Sequence, residues 1–285
     1  MFPYMHITPV DLFFGLKIQA FGVLVAVAFI VGNVKLYLII KEQENMGHVI
    51  LDTAAHIGVF GFFIAHLVAV VFYFPERIKE SVWALFDVFH GISSFGGFIG
   101  GAFGLWVFCR RFGMPFFRWL QHLARALPVG FLFGRLGCSI AHDHPGLPTN
   151  SIIGVQYRYG PQMHGGVEYR GFYDLGLLEL FVWIFMAILF YLLEKKPRGE
   201  GFFLGLMTII YTPVRFVFDF LRVKDEVYWG LTPGQYFCIV LFPVGIWLLL
   251  SSFKRPPVTP VDRMAESNDE EGESDGGAGE TEATN

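Results

Sequence analysis

Two arginines lie inside apolar sequence, where a permanent positive charge is costly. Arg135 follows a long apolar stretch in the sequence Phe-Gly-Arg-Leu-Gly at 133–137, and Arg215 lies within a similar stretch at 211–216. An ionisable residue inside a membrane-length segment indicates function, because hydrocarbon solvates charge poorly. The guanidinium group is planar, always charged and suited to paired contacts with phosphate oxygens. If the two arginines converge, they predict a binding site for one phosphodiester headgroup.

Further polar residues share the predicted helical face of Arg215. Asp219 follows it by four residues and Arg222 by seven, and Tyr211 precedes it by one turn. Side chains at these spacings lie on one side of a helix, so Asp219 can pair with either arginine and lower the cost of its burial. Two alternatives stay open. In the first, the Arg215–Asp219 pair is a buried ion pair whose sole role is to fix helix packing. In the second, the side chain of Arg135 reaches the membrane–water interface on the outer side of the bilayer.

Two histidines are candidate proton acceptors near a glycine-rich segment. His66 lies inside the second apolar run, and His90 directly precedes the segment 91–97. Both could face that segment, whose glycines let neighbouring helices approach closely. A histidine on an apolar helix also serves as a hydrogen-bonded packing residue, which is the alternative for His66.

Metal and cofactor motifs are weak in this sequence. His142 and His144 flank Asp143, a pattern that can bind a metal weakly but is common in polar loops. The three cysteines have no close spacing, which argues against a disulfide framework and against a zinc knuckle. No phosphate loop or dinucleotide fingerprint follows a predicted strand. We therefore expect no metal site and no cofactor.

Transmembrane helices are the elements that must position these residues. The 285-residue chain is 54% hydrophobic with a mean hydropathy of +0.50, which is rare for a soluble domain of this length. Most of its apolar runs have the roughly 20 residues that a helix needs to cross a bilayer. We read the first run as a retained helix rather than a removed signal peptide. The fold class predicted is all-α, a polytopic membrane protein with about seven transmembrane helices, at roughly 12–40, 50–74, 93–110, 120–141, 174–194, 201–221 and 235–253.

Charge at the ends of the runs predicts the orientation and the domain boundaries. Lysines and arginines flank one side of the bundle about twice as often as the other, which places the N-terminus outside and the C-terminus in the cytoplasm. Residues 1–253 are predicted to form one membrane domain with an outside loop at about 141–173. Residues 254–285 are acidic and poor in apolar residues, so they predict a disordered cytoplasmic tail.

Between about residues 12 and 253 the chain resembles the bacterial prolipoprotein diacylglyceryl transferase family. The resemblance depends on the order and spacing of several short pieces, of which Gly-Arg-Leu-Gly at 134–137 is the most specific. The other pieces are Phe21-Gly22, the glycine-rich segment 91–97, Pro128-Val129-Gly130, the Tyr-x-x-x-Arg-x-x-x-acid-x-x-Arg helix at 211–222, and Gly234-Gln235.

The resemblance implies a seven-helix enzyme of the bacterial inner membrane that acts in lipoprotein biosynthesis. Such enzymes transfer the diacylglyceryl group of phosphatidylglycerol to the lipobox cysteine thiol of a prolipoprotein and release glycerol phosphate. The implied partners are phosphatidylglycerol and the prolipoprotein signal-peptide region, with no nucleic acid, and the chain is expected to be a monomer. Arg135 and Arg215 correspond to the arginines that hold the lipid phosphate.

The sequence departs from the family pattern at four positions. The family histidine before two glycines is Phe95, the asparagine after Gly-Arg-Leu-Gly is Cys138, an arginine of the second helix is His66, and a glutamate is Asp219. These departures leave two alternatives open. One is a catalytically altered member that binds anionic phospholipid or assists another envelope protein, and the other is a transporter of anionic solutes.

The hypothesis for the reaction assigns a role to each candidate residue. A thiolate attacks the glyceryl carbon, and the leaving phosphate is stabilised by fixed arginines in a site of low dielectric constant. Arg135 and Arg215 hold the phosphate, while Asp219 and Tyr211 orient Arg215. The remaining assignments are Arg222 for attracting the headgroup, Gly96, Gly97 and Cys138 for substrate binding, and His66 or His90 for the base.

Overall fold

A computed structural model of the chain describes residues 1–5, 7–11, 17–44, 46–86, 93–223 and 227–257, and within them it is mostly helical. Seven of the helices in these ranges are 18 residues or longer, and one, α3, is short. Their bounds are α1 Ala20–Glu44, α2 Ile50–Val68, α3 Pro75–Glu80, α4 Ser94–Phe112, α5 Phe116–Ala141, α6 Leu175–Leu193, α7 Phe202–Asp219 and α8 Pro233–Ser252.

Six segments of the described chain are long and apolar enough to cross a membrane. They contain α1, α2 with the π-helical turn Ala69–Tyr73 that continues it, and α5 to α8. The seventh long helix, α4, is less apolar because it contains five glycines and ends with Arg110 and Arg111. Large apolar side chains such as Phe29, Phe62 and Leu250 are exposed on the helix surfaces, as expected of faces that contact lipid. The chain is therefore a polytopic membrane protein.

The first helix begins later than its apolar run predicts. The run was expected to be helical from about residue 12, whereas α1 begins at Ala20. Lys17–Ile18 (β2) instead pairs antiparallel with Val10–Asp11 (β1), so these two residues before α1 are strand rather than helix. The intervening residues, 12–16, lie outside the described part of the chain.

Glycines allow α2 and α4 to pack with their backbones close together. A Cβ atom on Gly96 would lie 2.7 Å from the Cα atom of Ala65, and one on Gly100 would overlap the carbonyl oxygen of Phe60. Only glycine fits at such separations. The interpretation of the glycine-rich segment as a helix-packing surface is confirmed at these two positions.

The long connection between α5 and α6 contains a small β-structured cap. Pro145–Thr149 (β3), Val155–Gln156 (β4) and Gly171–Asp174 (β7) form an antiparallel sheet in the order β3-β7-β4. Gln162–His164 (β5) and Val167–Tyr169 (β6) form a hairpin whose turn residues, Gly165 and Gly166, both have positive φ angles. The cap packs over the end of the bundle, because Gly146 forms a β-bridge with Arg222 at the end of α7.

Helix α5 lies at the centre of the bundle. It packs against α1 and α6 along much of its length, and also contacts α4 and α7, while α7 packs against α8. The ends of α5, α6 and α7 that lie beneath the cap therefore meet. The acidic tail beyond residue 257 lies outside the described part of the chain.

Candidate functional site

A carboxylate of α6 joins the two arginines that the sequence singled out. Arg135 Nη2 lies 2.8 Å from Glu179 Oε2, and Arg215 Nη1 donates to Glu179 Oε1 at 2.6 Å. The side chain of Arg135 is 7% exposed, that of Arg215 is 4% exposed and that of Glu179 is 1% exposed. The two guanidinium groups therefore contact the two oxygens of a single buried carboxylate.

Local structure at the start of α6 places Glu179 next to Arg135. Asp174 caps the helix, because its carboxylate accepts the backbone N–H of Leu177 at 3.0 Å. Gly176 lies against α5, where a Cβ atom would be 2.9 Å from Cβ of Cys138. The close approach of α5 and α6 at this glycine brings the fifth residue of α6 within reach of Arg135.

Tyr211 orients the shared carboxylate from α7. Its hydroxyl donates to Glu179 Oε2 at 3.0 Å, and its ring lies 5.0 Å from that of Trp183 between ring centroids. Tyr211 was predicted to orient Arg215. In the structure the Tyr211 hydroxyl contacts Glu179, the carboxylate that pairs with Arg215.

A second carboxylate holds the far side of Arg215. Arg215 Nη2 lies 3.0 Å from Asp219 Oδ1, one helical turn away, as the spacing predicted. Thr232 Oγ1 donates to Asp219 Oδ2 at 2.8 Å from the start of α8. Gly234 leaves room for this carboxylate, since a Cβ atom there would overlap Asp219 Oδ2. The guanidinium group of Arg215 is thus fixed at both of its terminal nitrogens.

Arg222 completes the charge of the cluster at its more exposed edge. Its Nε lies 3.8 Å from Asp219 Oδ1, and its side chain is 18% exposed. The cluster contains three guanidinium groups, those of Arg135, Arg215 and Arg222, against the two carboxylates of Glu179 and Asp219. The formal charge of these five side chains alone is +1.

Two donors of the arginines lack a strong acceptor among the described residues. Within the described residues, the buried Nε of Arg215 has no hydrogen-bond partner. Arg135 Nη1 faces the sulfur of Cys138 at 4.0 Å, a weak acceptor at a long distance. Buried donors are nearly always satisfied in folded proteins, so an unsatisfied one within a charged cluster indicates a position for a ligand oxygen.

Phe95 lies beside Arg215 at the position where the family pattern has a histidine. Its ring centroid is 5.9 Å from the guanidinium carbon of Arg215, and the ring stacks on Phe237 at 5.3 Å. An aromatic ring there can attract the guanidinium group but cannot accept a proton. The departure at Phe95 therefore falls at the site itself.

The remaining predicted residues have different surroundings. His66 is fully buried, and its Nε2 donates to the carbonyl oxygen of Ala84 at 2.9 Å, which ties α2 to the 3-10 turn Val82–Phe86. Gly96 packs closely against α2, and among the described residues a Cβ atom on Gly97 would meet only Ala65, at 4.0 Å. The role of these two glycines in substrate binding stays a prediction. His90 lies outside the described residues.

Sequence reasoning missed Glu179, although a signal for it was present. It is the acidic residue in Leu-Leu-Glu-Leu-Phe at 177–181, inside a helix that is otherwise apolar over its length. The rule that singled out the arginines, that charge inside an apolar run indicates function, applies equally to this glutamate.

The residues of the His142-Asp143-His144 run separate in the structure. His142 turns towards the cap, where its Nδ1 lies 2.5 Å from Asp174 Oδ2, and its Nε2 donates to the carbonyl oxygen of Met5. His144 instead pairs with Asp143, and donor atoms of Cys138, Asp143 and His144 all lie within 4.8 Å of one another. The structure therefore brings a cysteine, not a second histidine, to the Asp143–His144 pair.

A cleft of about 680 Å³ opens beside this group, between the cap and the end of α7. Asp143 and His144 line one part of it, and Arg222 lines another. Tyr157 of the cap also lines it, and partial burial raises the pKa of that hydroxyl above its ordinary value. The volume lies within the range of small-molecule binding sites.

The fold and the site define a polytopic membrane protein with a cluster of arginines and carboxylates buried beneath a β-structured cap. Comparison with known proteins identifies the family. The prolipoprotein diacylglyceryl transferase family model matches residues 9–251, and the chain belongs to this family. The resemblance inferred from the sequence is therefore confirmed.

Several similar proteins bear the name phosphatidylglycerol–prolipoprotein diacylglyceryl transferase. The one from Chlorobaculum tepidum is 32% identical over 177 residues, which cover 60% of this chain and 58% of that protein. The one from Nitratidesulfovibrio vulgaris is 31% identical, with 64% and 68% covered. A third, from Acinetobacter baylyi, is 26% identical over 270 residues and covers 90% of this chain and 96% of its own length.

Proposed function

We propose that this protein transfers the diacylglyceryl group of phosphatidylglycerol to the lipobox cysteine thiol of prolipoproteins, with Arg135 and Arg215 holding the lipid phosphate. Family membership and relatives of that name, one of them aligned over nearly its whole length, support the reaction. The observation that carries the assignment of the site is the single carboxylate of Glu179, which holds both guanidinium groups.

The arginine cluster suits the charge that develops in this reaction. When the thiolate attacks the glyceryl carbon, the carbon–oxygen bond breaks and the phosphate leaves as a monoester with additional negative charge. Arg135 and Arg215 are fixed before the lipid arrives, so stabilising that charge requires little reorganisation. The Nε of Arg215 and the Nη1 of Arg135 are the donors available to phosphate oxygens.

Asp219 and Tyr211 act as positioning residues in this proposal. Asp219 holds Arg215 directly, and Tyr211 acts through the carboxylate that both arginines share. Arg222, more exposed and on the cleft, attracts the anionic headgroup. His66 and His90 remain the predicted bases. Nε2 of His66 donates to the carbonyl oxygen of Ala84.

The proposed setting is the bacterial inner membrane, with the cap and its cleft on the outer side. The bias of basic residues at the helix ends supports an outside N-terminus and a cytoplasmic C-terminus. The cleft would then receive the prolipoprotein where its signal peptide leaves the membrane. We expect the protein to act as a monomer.

A second candidate is a catalytically altered member that binds anionic phospholipid without transferring it. The observation that favours it is Phe95, which places a non-titrating ring next to Arg215. The two candidates share the phosphate site but differ in product. A transfer assay with phosphatidylglycerol and a lipobox peptide therefore separates them.

The substitution Arg135→Gln tests the phosphate site. Loss of one charge-stabilising donor typically lowers a rate by about 100- to 1,000-fold, and we expect at least that loss here. Arg118→Gln on the same helix is the control, because Arg118 pairs with Glu200 at 3.2 Å and is partly exposed. Normal transfer by the Arg135→Gln variant would overturn the proposed site. Unchanged gel-filtration behaviour shows that the variant is folded.

A further inference from the structure

Three chemically different metal ligands meet at the end of α5. Cys138 contributes a thiol, Asp143 a carboxylate and His144 an imidazole, and their donor atoms lie within 4.8 Å of one another. Asp143 is exposed and His144 is half-buried, and both line the cleft, whereas Cys138 is buried. A thiolate, an imidazole and a carboxylate together form a donor set that suits Zn²⁺.

The group lies next to the arginine cluster rather than at a remote surface. Cys138 Sγ is 4.0 Å from Arg135 Nη1. Cys138 is therefore both a potential metal ligand and a neighbour of the proposed phosphate site. A partner of this kind, hydrogen-bonded to a metal-bound sulfur, is typical of metal sites. The cleft connects the Asp143–His144 pair with Arg222. A thiol that enters the cleft would therefore come close to the Asp143–His144 pair and to Arg222.

We propose that Cys138, Asp143 and His144 form a three-ligand site for a zinc-type divalent cation, whose fourth position binds the lipobox thiol as a thiolate. This inference rests on the proposed transferase function. Three protein ligands with one open position are the arrangement of catalytic zinc, whereas structural zinc has four protein ligands. A cation there would generate the thiolate without a histidine at Phe95, because a coordinated thiol is deprotonated.

Binding of a cation requires new spacings between the three donor atoms, which now lie within 4.8 Å of one another. Ligand atoms around tetrahedral zinc lie roughly 3.3–3.7 Å apart, from bond lengths of about 2.0–2.3 Å. Asp143 Oδ1 and His144 Nδ1 are now 2.5 Å apart, in contact with each other. Rotation of the exposed Asp143 side chain separates them without moving the helix that carries Cys138.

The proposed reaction consumes no oxidant and needs no reactant besides the lipid, the thiol and water. A hydroxide on the cation takes the proton of the incoming thiol and leaves as water, and the sulfur binds in its place. The thiolate sulfur then attacks the glyceryl carbon, so a sulfur–carbon bond forms and the carbon–oxygen bond to phosphate breaks. The electron pair leaves with glycerol phosphate, which Arg135 and Arg215 hold. The thioether product binds the cation weakly, so water displaces it and loses a proton to solvent.

Cobalt binding by the full-length protein in detergent tests the site directly. Co²⁺ reports tetrahedral coordination through its visible bands and thiolate ligation through a near-ultraviolet charge-transfer band. We expect the unsubstituted protein to bind Co²⁺ stoichiometrically and to show both signals. Cys138→Ser should abolish the charge-transfer band, and His144→Gln should weaken binding at least tenfold. Cys109→Ser, which replaces a buried cysteine of α4, is the matched control and should bind as the unsubstituted protein does.

The results separate this inference from the proposed function. Absence of binding by the unsubstituted protein, or a charge-transfer band retained in Cys138→Ser, would overturn the metal site. Full transfer by protein freed of metal with a chelator would also overturn it and leave the transferase function standing. If cobalt binds as expected but neither zinc- nor cobalt-loaded protein transfers lipid to a lipobox peptide, the transferase function fails while the site stands. Gel filtration and thermal unfolding show whether each variant is folded.

Discussion

Glu179 Oε1 accepts a hydrogen bond from Arg215 Nη1 at 2.6 Å, and the two side chains are 1% and 4% exposed. The other oxygen of the same carboxylate pairs with Arg135. Glu179 of α6 therefore joins charged side chains of α5 and α7. Residues in such a network do not contribute independently, and substitutions within it are expected to be non-additive. The pair thus links the stability of the bundle to the shape of the phosphate site.

The substitution Glu179→Gln should destabilise the protein and make its stability depend on anionic lipid. Removal of one partner from a buried ion pair typically costs about 3–5 kcal/mol, because the remaining charge stays buried. We expect a lower apparent unfolding temperature in detergent. Added phosphatidylglycerol should raise it more than in the unsubstituted protein, since the phosphate supplies the missing negative charge.

The control for this prediction is Glu200→Gln. Glu200 pairs with Arg118 at 3.2 Å, but these side chains are 20% and 32% exposed, so the pair is worth roughly 0–1 kcal/mol. Equal unfolding temperatures for the Glu179→Gln and Glu200→Gln variants would contradict the central role of Glu179.

The substitution Tyr211→Phe should impair the rate of transfer more than lipid binding. It removes the hydrogen bond to Glu179 but keeps the ring that packs on Trp183. Loss of a hydrogen bond to a charged group costs about 1.5–3 kcal/mol, which corresponds to a rate lower by about 10- to 100-fold. Steady-state kinetics should show a lower kcat with KM for phosphatidylglycerol nearly unchanged. A change confined to KM would exclude Tyr211 as a positioning residue for the reaction.

The sequence predicted the elements of the fold better than their ends. Apolar runs located the long helices, since a bilayer-crossing helix needs about 20 apolar residues. The start of α1 at Ala20 was not predictable, because the apolar run begins at about residue 12, whereas Lys17–Ile18 within it forms a strand. The strands of the cap are two to five residues long and carry no clear alternation of apolar residues, so their pairing emerges only in three dimensions.

At the site, the sequence predicted a contact between residues one helical turn apart but not contacts between residues far apart in the chain. The Arg215–Asp219 pair followed from helical periodicity, since the residues are one turn apart. The pairing of Arg135 with Glu179 joins residues 44 positions apart in the chain, which spacing cannot reveal. His142 was grouped with its sequence neighbours, yet its imidazole pairs with Asp174. A short polar run in a loop thus predicts donor atoms but not which of them meet.

The substitution Gly234→Ala should disturb the site through Asp219. A Cβ atom at this position would overlap Asp219 Oδ2 and lie 3.2 Å from the ring of Phe95, so the carboxylate must move away from Arg215. We expect the rate of transfer to fall by about tenfold, which corresponds to roughly 1.4 kcal/mol. The control is Gly58→Ala in α2, where a Cβ atom would meet no atom within 4 Å. If both variants have the activity of the unsubstituted protein, Asp219 does not need its present position.

The substitution Arg222→Gln should weaken capture of the lipid without slowing the chemical step. Arg222 lies at the exposed edge of the cluster and lines the cleft, and Arg135 and Arg215 are the groups buried beside Glu179. Its charge therefore acts while the anionic headgroup approaches, and salt should screen it. We expect KM for phosphatidylglycerol to rise severalfold at low ionic strength, with kcat nearly unchanged and the difference reduced at high salt. Arg158→Gln in the cap is the control, because that arginine packs on the exposed ring of Tyr159. A fall in kcat at unchanged KM would instead place Arg222 among the groups that stabilise the leaving phosphate.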